Sequence, residues 1–159
     1  TQALSSELHV EGLLEKVAAI ATDVLEAERT SLFMHDPQTG ELVTKVAEGL
    51  DTTVIRIPDH AGLAGAVFQS GEAATIGDVY RDARFNPAVD QATGFRTHSM
   101  LCAPIVNKAG ITLGVIEVLN KRMGTFNRRD ERRLEALAAQ AAVALDNARL
   151  FEDVLNERD

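Results

Sequence analysis

Apolar residues Val10, Leu14, Val17, Ala21 and Val24 recur at alternating spacings of four and three, which predicts an amphipathic helix with one buried face. The runs "TSLFMHD" and "GELVTKVAEG" flank the turn "DPQTG", where Pro37 and Gly40 break both patterns, and together they predict a hairpin. "TVIRI" reads as a short strand stopped at Pro58, "GLAGAVFQSG" as a helix opened and closed by glycine, and "EAATIGD" as a brief strand. Two stronger strands, "HSMLCAPIVN" and "TLGVIEVLN", are joined by the tight turn "KAG". From Arg128 onward there is no Gly or Pro, and Leu137, Ala141, Ala144, Ala148, Phe151 and Leu155 keep a heptad spacing. That pattern predicts a long helix with a seam suited to a partner helix. Hairpin-joined strands with helices before, between and after them give an α+β domain built on an antiparallel sheet.

Residues 78–97 fit none of these periods. A connection of that length inside a compact domain is commonly functional or disordered. This one carries Tyr80, Phe85 and Phe95, three of the chain's seven aromatics, which predicts that it packs onto something.

The 159 residues suffice for one domain with a single good core. A net charge of −8 argues against a nucleic-acid polymer or an acidic membrane surface as partner. A small anion is still within reach of a few backbone N–H groups. The lone Cys102 excludes an internal disulfide and a multi-cysteine zinc site, and its apolar surroundings in "MLCAPIV" read as a buried, inert thiol. His9, His35, His60 and His98 fall on different elements without metal-ligand spacing, so no metal is expected. No apolar run is long enough to span a bilayer, and the first residues lack the features of a signal peptide. The expected location is cytoplasmic. The chain starts and stops inside predicted helices, as a piece of a longer protein would. No nucleophile elbow, P-loop or dinucleotide fingerprint is present, and nothing specifies an enzyme.

One constellation does point to a ligand. "DHAGLAG" sets Gly62 and Gly65 at the start of a helix, where free N–H groups and the positive dipole end favour an anion. The alternative is that these glycines only start and pack the helix. Within the irregular segment, "NPAVDQATGFRT" adds Asp90, Thr93 and Thr97 as short polar side chains beside aromatics. An anion seat under a lid of hydroxyls and a carboxylate suits a small phosphorylated ligand with a sugar.

The stretch "NKRMGTFNRRDE" then supplies Asn120, Lys121, Phe126, Asp130 and Glu131 in fixed order. With it, the chain resembles a GAF domain of the cyclic-nucleotide-binding type found in phosphodiesterases and bacterial adenylyl cyclases. Further similarity lies in "IRIPDHAGLAGAVFQSGE", "DVYRDARFNPAVDQATGFRTHSMLCAPI" and "GVIEVLNK", and it spans roughly residues 10–148. The resemblance implies a six-stranded antiparallel sheet with helices on both faces, and cAMP or cGMP held beneath the irregular segment. It puts phosphate contacts on the backbone of Leu63, Ala64 and Asn86, and ribose and lid contacts on Asp90, Thr93 and Thr97. Positions facing the base are Ser31, Ala47, Glu48 and Glu117. Where cGMP-selective relatives carry Phe-Asp, this chain has Ala47-Glu48, so stacking area is lost while an acceptor for guanine is kept. Cys102 is followed by Ala103, unlike the Cys-His context of bilin-binding relatives, and a single cysteine does not match the sulfoxide reductases of the family.

The resemblance further implies a regulatory sensor that is not itself an enzyme. Such a module relays binding allosterically through its terminal helices to an output domain, and the heptad seam with the amphipathic first helix predicts a homodimer through those helices. A GAF domain kept for dimerisation or structural coupling, without nucleotide, is the alternative. Asn120 to Glu131 is expected to act as a clasp: Asn127 caps the last helix, Asp130 sits in its first turn, Lys121 reaches back to it, and Phe126 covers the pair.

Overall fold

The computed structural model describes residues 2–48 and 54–156. The first helix, α1 (Gln2–Val24), buries Leu14, Ala18 and Ala21, with Val10 and Val17 at the margin of the same face. Val24 points outward and Leu25 takes the buried place expected of it. The reason is local: the helix ends at Val24, and Glu26 turns the chain through a left-handed φ of 52° into the first strand.

Strands β1 (Ala27–Asp36), β2 (Glu41–Ala47) and β3 (Arg56–Pro58) follow, then α2 (Gly62–Ser70) and β4 (Ala74–Ile76). The irregular segment holds a 3-10 turn at Val79–Arg81 and one short helix, α3 (Ala88–Thr93). Strands β5 (Met100–Val106) and β6 (Thr112–Lys121) lead to α4 (Arg128–Asn156). The sheet has six strands in the order β3-β2-β1-β6-β5-β4, and every neighbouring pair is antiparallel. Both edge strands are only three residues long, which leaves little free edge for pairing with another chain.

Period-two alternation divides the side chains of the central strands between two cores. Leu101, Ala103 and Ile105 of β5, with Ile116 and Val118 of β6, face α1 and α4. Met100 and Cys102, with Val115 and Leu119, face α2 and the irregular segment. The sheet is thus covered by the long terminal helices on one face and by a looser roof on the other. It is under that roof that space remains. At Gly114, any Cβ would meet the Phe33 carbonyl oxygen at 2.0 Å, so the close approach of β6 to β1 requires glycine.

On α4 the residues buried against the sheet and α1 are Leu134, Ala138, Ala141 and Ala142, with Leu137 and Leu145 packed beside them. The predicted heptad seam therefore shares Leu137 and Ala141 with the domain's own core. Ala144, Ala148 and Leu155 are half-buried, and the Phe151 side chain lies outside the described residues. Among the described residues no helix is long and apolar enough to cross a membrane.

A candidate ligand pocket under the irregular segment

The floor of the pocket is made by alternate residues of β1 and β6, where Ser31 and Glu117 are register partners. Arg29 and Phe33 extend it along one strand and Leu119 along the other. The wall is the start of α2, and the roof runs from Phe85 to Thr97. All the positions expected to contact a ligand line this cavity except Ala47. Ala47 pairs with Ser31 in the sheet, but its single methyl group falls short of the space. The cavity measures about 90 Å³. That holds a few waters, whereas pockets for drug-sized ligands run to about 300–1,000 Å³. A ligand the size of a mononucleotide therefore requires the roof to lift.

At the wall, α2 begins without a side-chain cap: Ala61 takes the N-cap place and offers no acceptor. The N–H groups of Gly62, Leu63 and Ala64 have no intrahelical partner by helix geometry, and all three residues border the cavity. Two glycines make this possible. Gly62 has a φ of +66°, and a Cβ on Gly65 would lie 2.5 Å from the His60 carbonyl carbon. The glycines start and pack the helix, and that packing also brings its free N–H groups to the cavity.

Glu117 stands on the floor between apolar neighbours. Burial, reinforced by the negative charge of Asp90, raises its carboxyl from an ordinary 4.5 to about 7. Cys102, its register partner on β5, is buried, and that burial together with Glu117 pushes its thiol well up. Glu48 borders the cavity, yet its Oε1 is taken: it accepts from the Thr22 hydroxyl of α1 and from Thr30 N at 2.9 Å. On the roof, Asn86 Oδ1 accepts from Ala88 N at 3.0 Å and Thr93 Oγ1 donates to Val89 O at 2.8 Å. Asp90 accepts from Thr97 Oγ1 (2.7 Å), Thr97 N (2.8 Å) and Tyr80 OH (2.7 Å). Of the three side chains expected to grip a ribose, Asp90 and Thr97 thus grip each other, and Thr93 bonds the backbone of its own helix.

Arg29 was not singled out from sequence. Its guanidinium lies 4.0 Å from the centre of the Phe95 ring at the pocket margin. The available signal was alternation, since Arg29 stands two residues before Ser31 and so shares its face of β1.

The clasp residues sit just behind this floor. Asn120 adopts a φ of 62°, an uncommon conformation that Asn tolerates better than most residues. Its side chain is fully used: Oδ1 accepts from His98 N and Ser99 N, and Nδ2 donates to Arg96 O (2.9 Å) and Glu28 Oε2 (3.1 Å). Lys121 Nζ bonds Asp130 Oδ1 at 3.2 Å and the Leu25 carbonyl at 2.7 Å. Phe126 is buried, with its ring centre 5.9 Å from that ammonium. Asn127 and Asp130 exchange reciprocal bonds, Asp130 N to Asn127 Oδ1 and Asn127 N to Asp130 Oδ2, which closes a capping box on α4. Glu131 is turned to the surface, where Thr75 donates to it at 3.4 Å.

Comparison with known proteins agrees with this architecture. The GAF domain family matches residues 9–145. A probable 3′,5′-cyclic phosphodiesterase of Caenorhabditis elegans is 32% identical over 91% of this chain and 21% of its own length. A dual 3′,5′-cyclic-AMP and -GMP phosphodiesterase of Takifugu rubripes is 32% identical over 98% of this chain and 19% of its own. The chain thus spans about a fifth of these relatives. Among solved structures, the GAF domain of a phosphoenolpyruvate-protein phosphotransferase from Coxiella burnetii superposes with a TM-score of 0.77. It does so at 21% identity, over 96% of this chain and 99% of that one, a likeness of fold alone. With its family signature, its six-stranded sheet and its helices on both faces, the chain belongs to the GAF domain family.

Proposed function

We propose that this domain is a regulatory receptor for a cyclic nucleotide, cAMP or cGMP. The observation that carries the reading is a single cavity bordered both by the uncapped start of α2 and by Glu117. The cyclic phosphate would accept from the N–H groups of Leu63 and Ala64. The base would lie toward Ser31 and Glu117, and the ribose beneath Asp90, Thr93 and Thr97. Relatives named as cyclic-nucleotide phosphodiesterases support the ligand class. The domain would dimerise and report occupancy through α1 and α4 to an output domain elsewhere in a longer protein.

Calorimetric titration with each nucleotide, alongside urea unfolding, tests the reading. A ligand at a hundred times its Kd adds about 2.7 kcal/mol to stability when it binds only the folded state. The double substitution of Asp90→Ala with Thr97→Ala should weaken binding by more than about tenfold in a folded protein. A second reading, a GAF domain that couples its neighbours without nucleotide, is favoured by the small cavity and by the mutual satisfaction of Asp90 and Thr97. Absence of heat and of stabilisation with both nucleotides would select it.

A further inference from the structure

Asp90 lies in the middle of the roof, and its carboxylate holds both flanks. On the outgoing side it takes two bonds from Thr97, a residue only 2% exposed. That side is fixed, because Asn120 binds Arg96 O, His98 N and Ser99 N around it. On the incoming side Asp90 takes a single bond, from Tyr80 OH at 2.7 Å. Tyr80 is 41% exposed and does not border the cavity. Its ring is nonetheless held in place: the Phe85 ring lies 4.9 Å away on centroids, and the Arg96 guanidinium 4.0 Å from its centre. The bond to Asp90 also raises the phenol's pKa, so the donor keeps its proton across the physiological range.

We propose that Tyr80 is the latch of the pocket, a positioning residue whose hydroxyl holds the empty pocket's roof down through Asp90 and so sets how readily a ligand enters. The inference rests on the receptor reading for its ligand, but the latch is a property of the ligand-free fold. The cavity is too small for a nucleotide until the roof lifts, and lifting α3 away from the incoming flank breaks the Tyr80 bond. The bond therefore stabilises the ligand-free closed state against the lifted state that admits and holds a ligand.

Tyr80→Phe removes the hydroxyl and keeps the ring between Phe85 and Arg96. In stopped-flow measurements with fluorescent cAMP and cGMP analogues, association should accelerate about tenfold with dissociation little changed, so that Kd falls about tenfold. A direct ligand contact would instead raise dissociation alone and weaken Kd, and unchanged rates would leave the hydroxyl without a role; either result overturns the latch. A second arm needs no ligand. The Thr97 amide is donated to the same carboxylate, so its hydrogen exchange should quicken about tenfold in Tyr80→Phe. Exchange at Ile116, in the centre of β6, should not change. Unaltered exchange at Thr97 overturns the latch whatever the nucleotides do. Analogues that fail to bind the parent domain would sink the receptor reading, leaving the exchange data to decide the latch.

Discussion

Glu117 shows how one side chain takes its properties from position. In an unfolded chain its carboxyl would titrate near 4.5, and on the pocket floor it is raised to about 7 by burial and by Asp90. A raised acid opposes folding wherever the unfolded chain is already ionised. The sign follows: the penalty is absent below about pH 4.5, grows as pH rises, and is complete above about pH 7. The ligand-free domain should therefore lose stability across that window through this residue. Glu117→Gln should be favoured over the parent by up to roughly 3 kcal/mol at pH 8 and by much less at pH 4.5. Urea unfolding at several pH values measures this. A stability difference that stays flat with pH would mean that the carboxylate is solvated in the folded state. Glu48 is the contrasting case at the same margin, since its bonds to Thr22 and Thr30 turn it toward α1 rather than leaving it free for a base.

Among the elements, the junction of β6 with α4 has the most specific chemistry. Side-chain exposures of 12% for Lys121 and 5% for Asp130 put the ion pair inside the protein. An exposed pair would contribute only about 0–1 kcal/mol, whereas stranding one partner of a covered pair costs roughly 3–5 kcal/mol. Lys121→Ala and Asp130→Ala should each destabilise on that larger scale, and the double variant should fall well short of their sum. Denaturant unfolding of the four proteins gives the coupling directly, and small additive losses would contradict a covered clasp. Lys121 also reaches the Leu25 carbonyl just past the end of α1, and Asn120 grips the outgoing flank of the roof. One pair of adjacent residues thus touches the turn that follows α1, the first turn of α4 and the pocket's roof. Nucleotide affinity should accordingly drop in Lys121→Ala although its side chain does not border the cavity.

At the scale of the whole molecule, the terminal helices cover the sheet face opposite the pocket and leave Ile20, Val24 and Val143 exposed on their outer surfaces. We expect a homodimer that uses these surfaces together with the later part of α4. Sedimentation should show a dimer, and Ile20→Glu with Val143→Glu should shift it to monomer while the fold is retained. A monomer in the parent protein at high concentration would remove the basis for relay through paired helices. Packing of α1 and α4 against the domain's own sheet already accounts for Ala18, Ala21 and Ala141, so only the outward residues remain for a partner.

Outside residues 78–97, local pattern alone determined the kind and order of the elements, because periods of two and of three to four are set by backbone geometry and survive in any fold. Glycine and proline marked their ends for the same reason, and the cap at Asn127 with Asp130 was readable because its partners lie three residues apart. The short polar residues of the roof were recognisable as a group, and the resemblance to a known family added their expected roles. Tertiary structure decided what each group does with its hydrogen bonds. Glu48 meets Thr22 across 26 residues, and Asn120 meets Arg96 across 24. Arg29 faces Phe95, and Asp90 is divided between Tyr80 and Thr97. No spacing encodes such pairs, since they form only where the sheet brings distant strands together. The charge state of Glu117 is of the same kind, for it depends on how much water the assembled roof leaves over the floor.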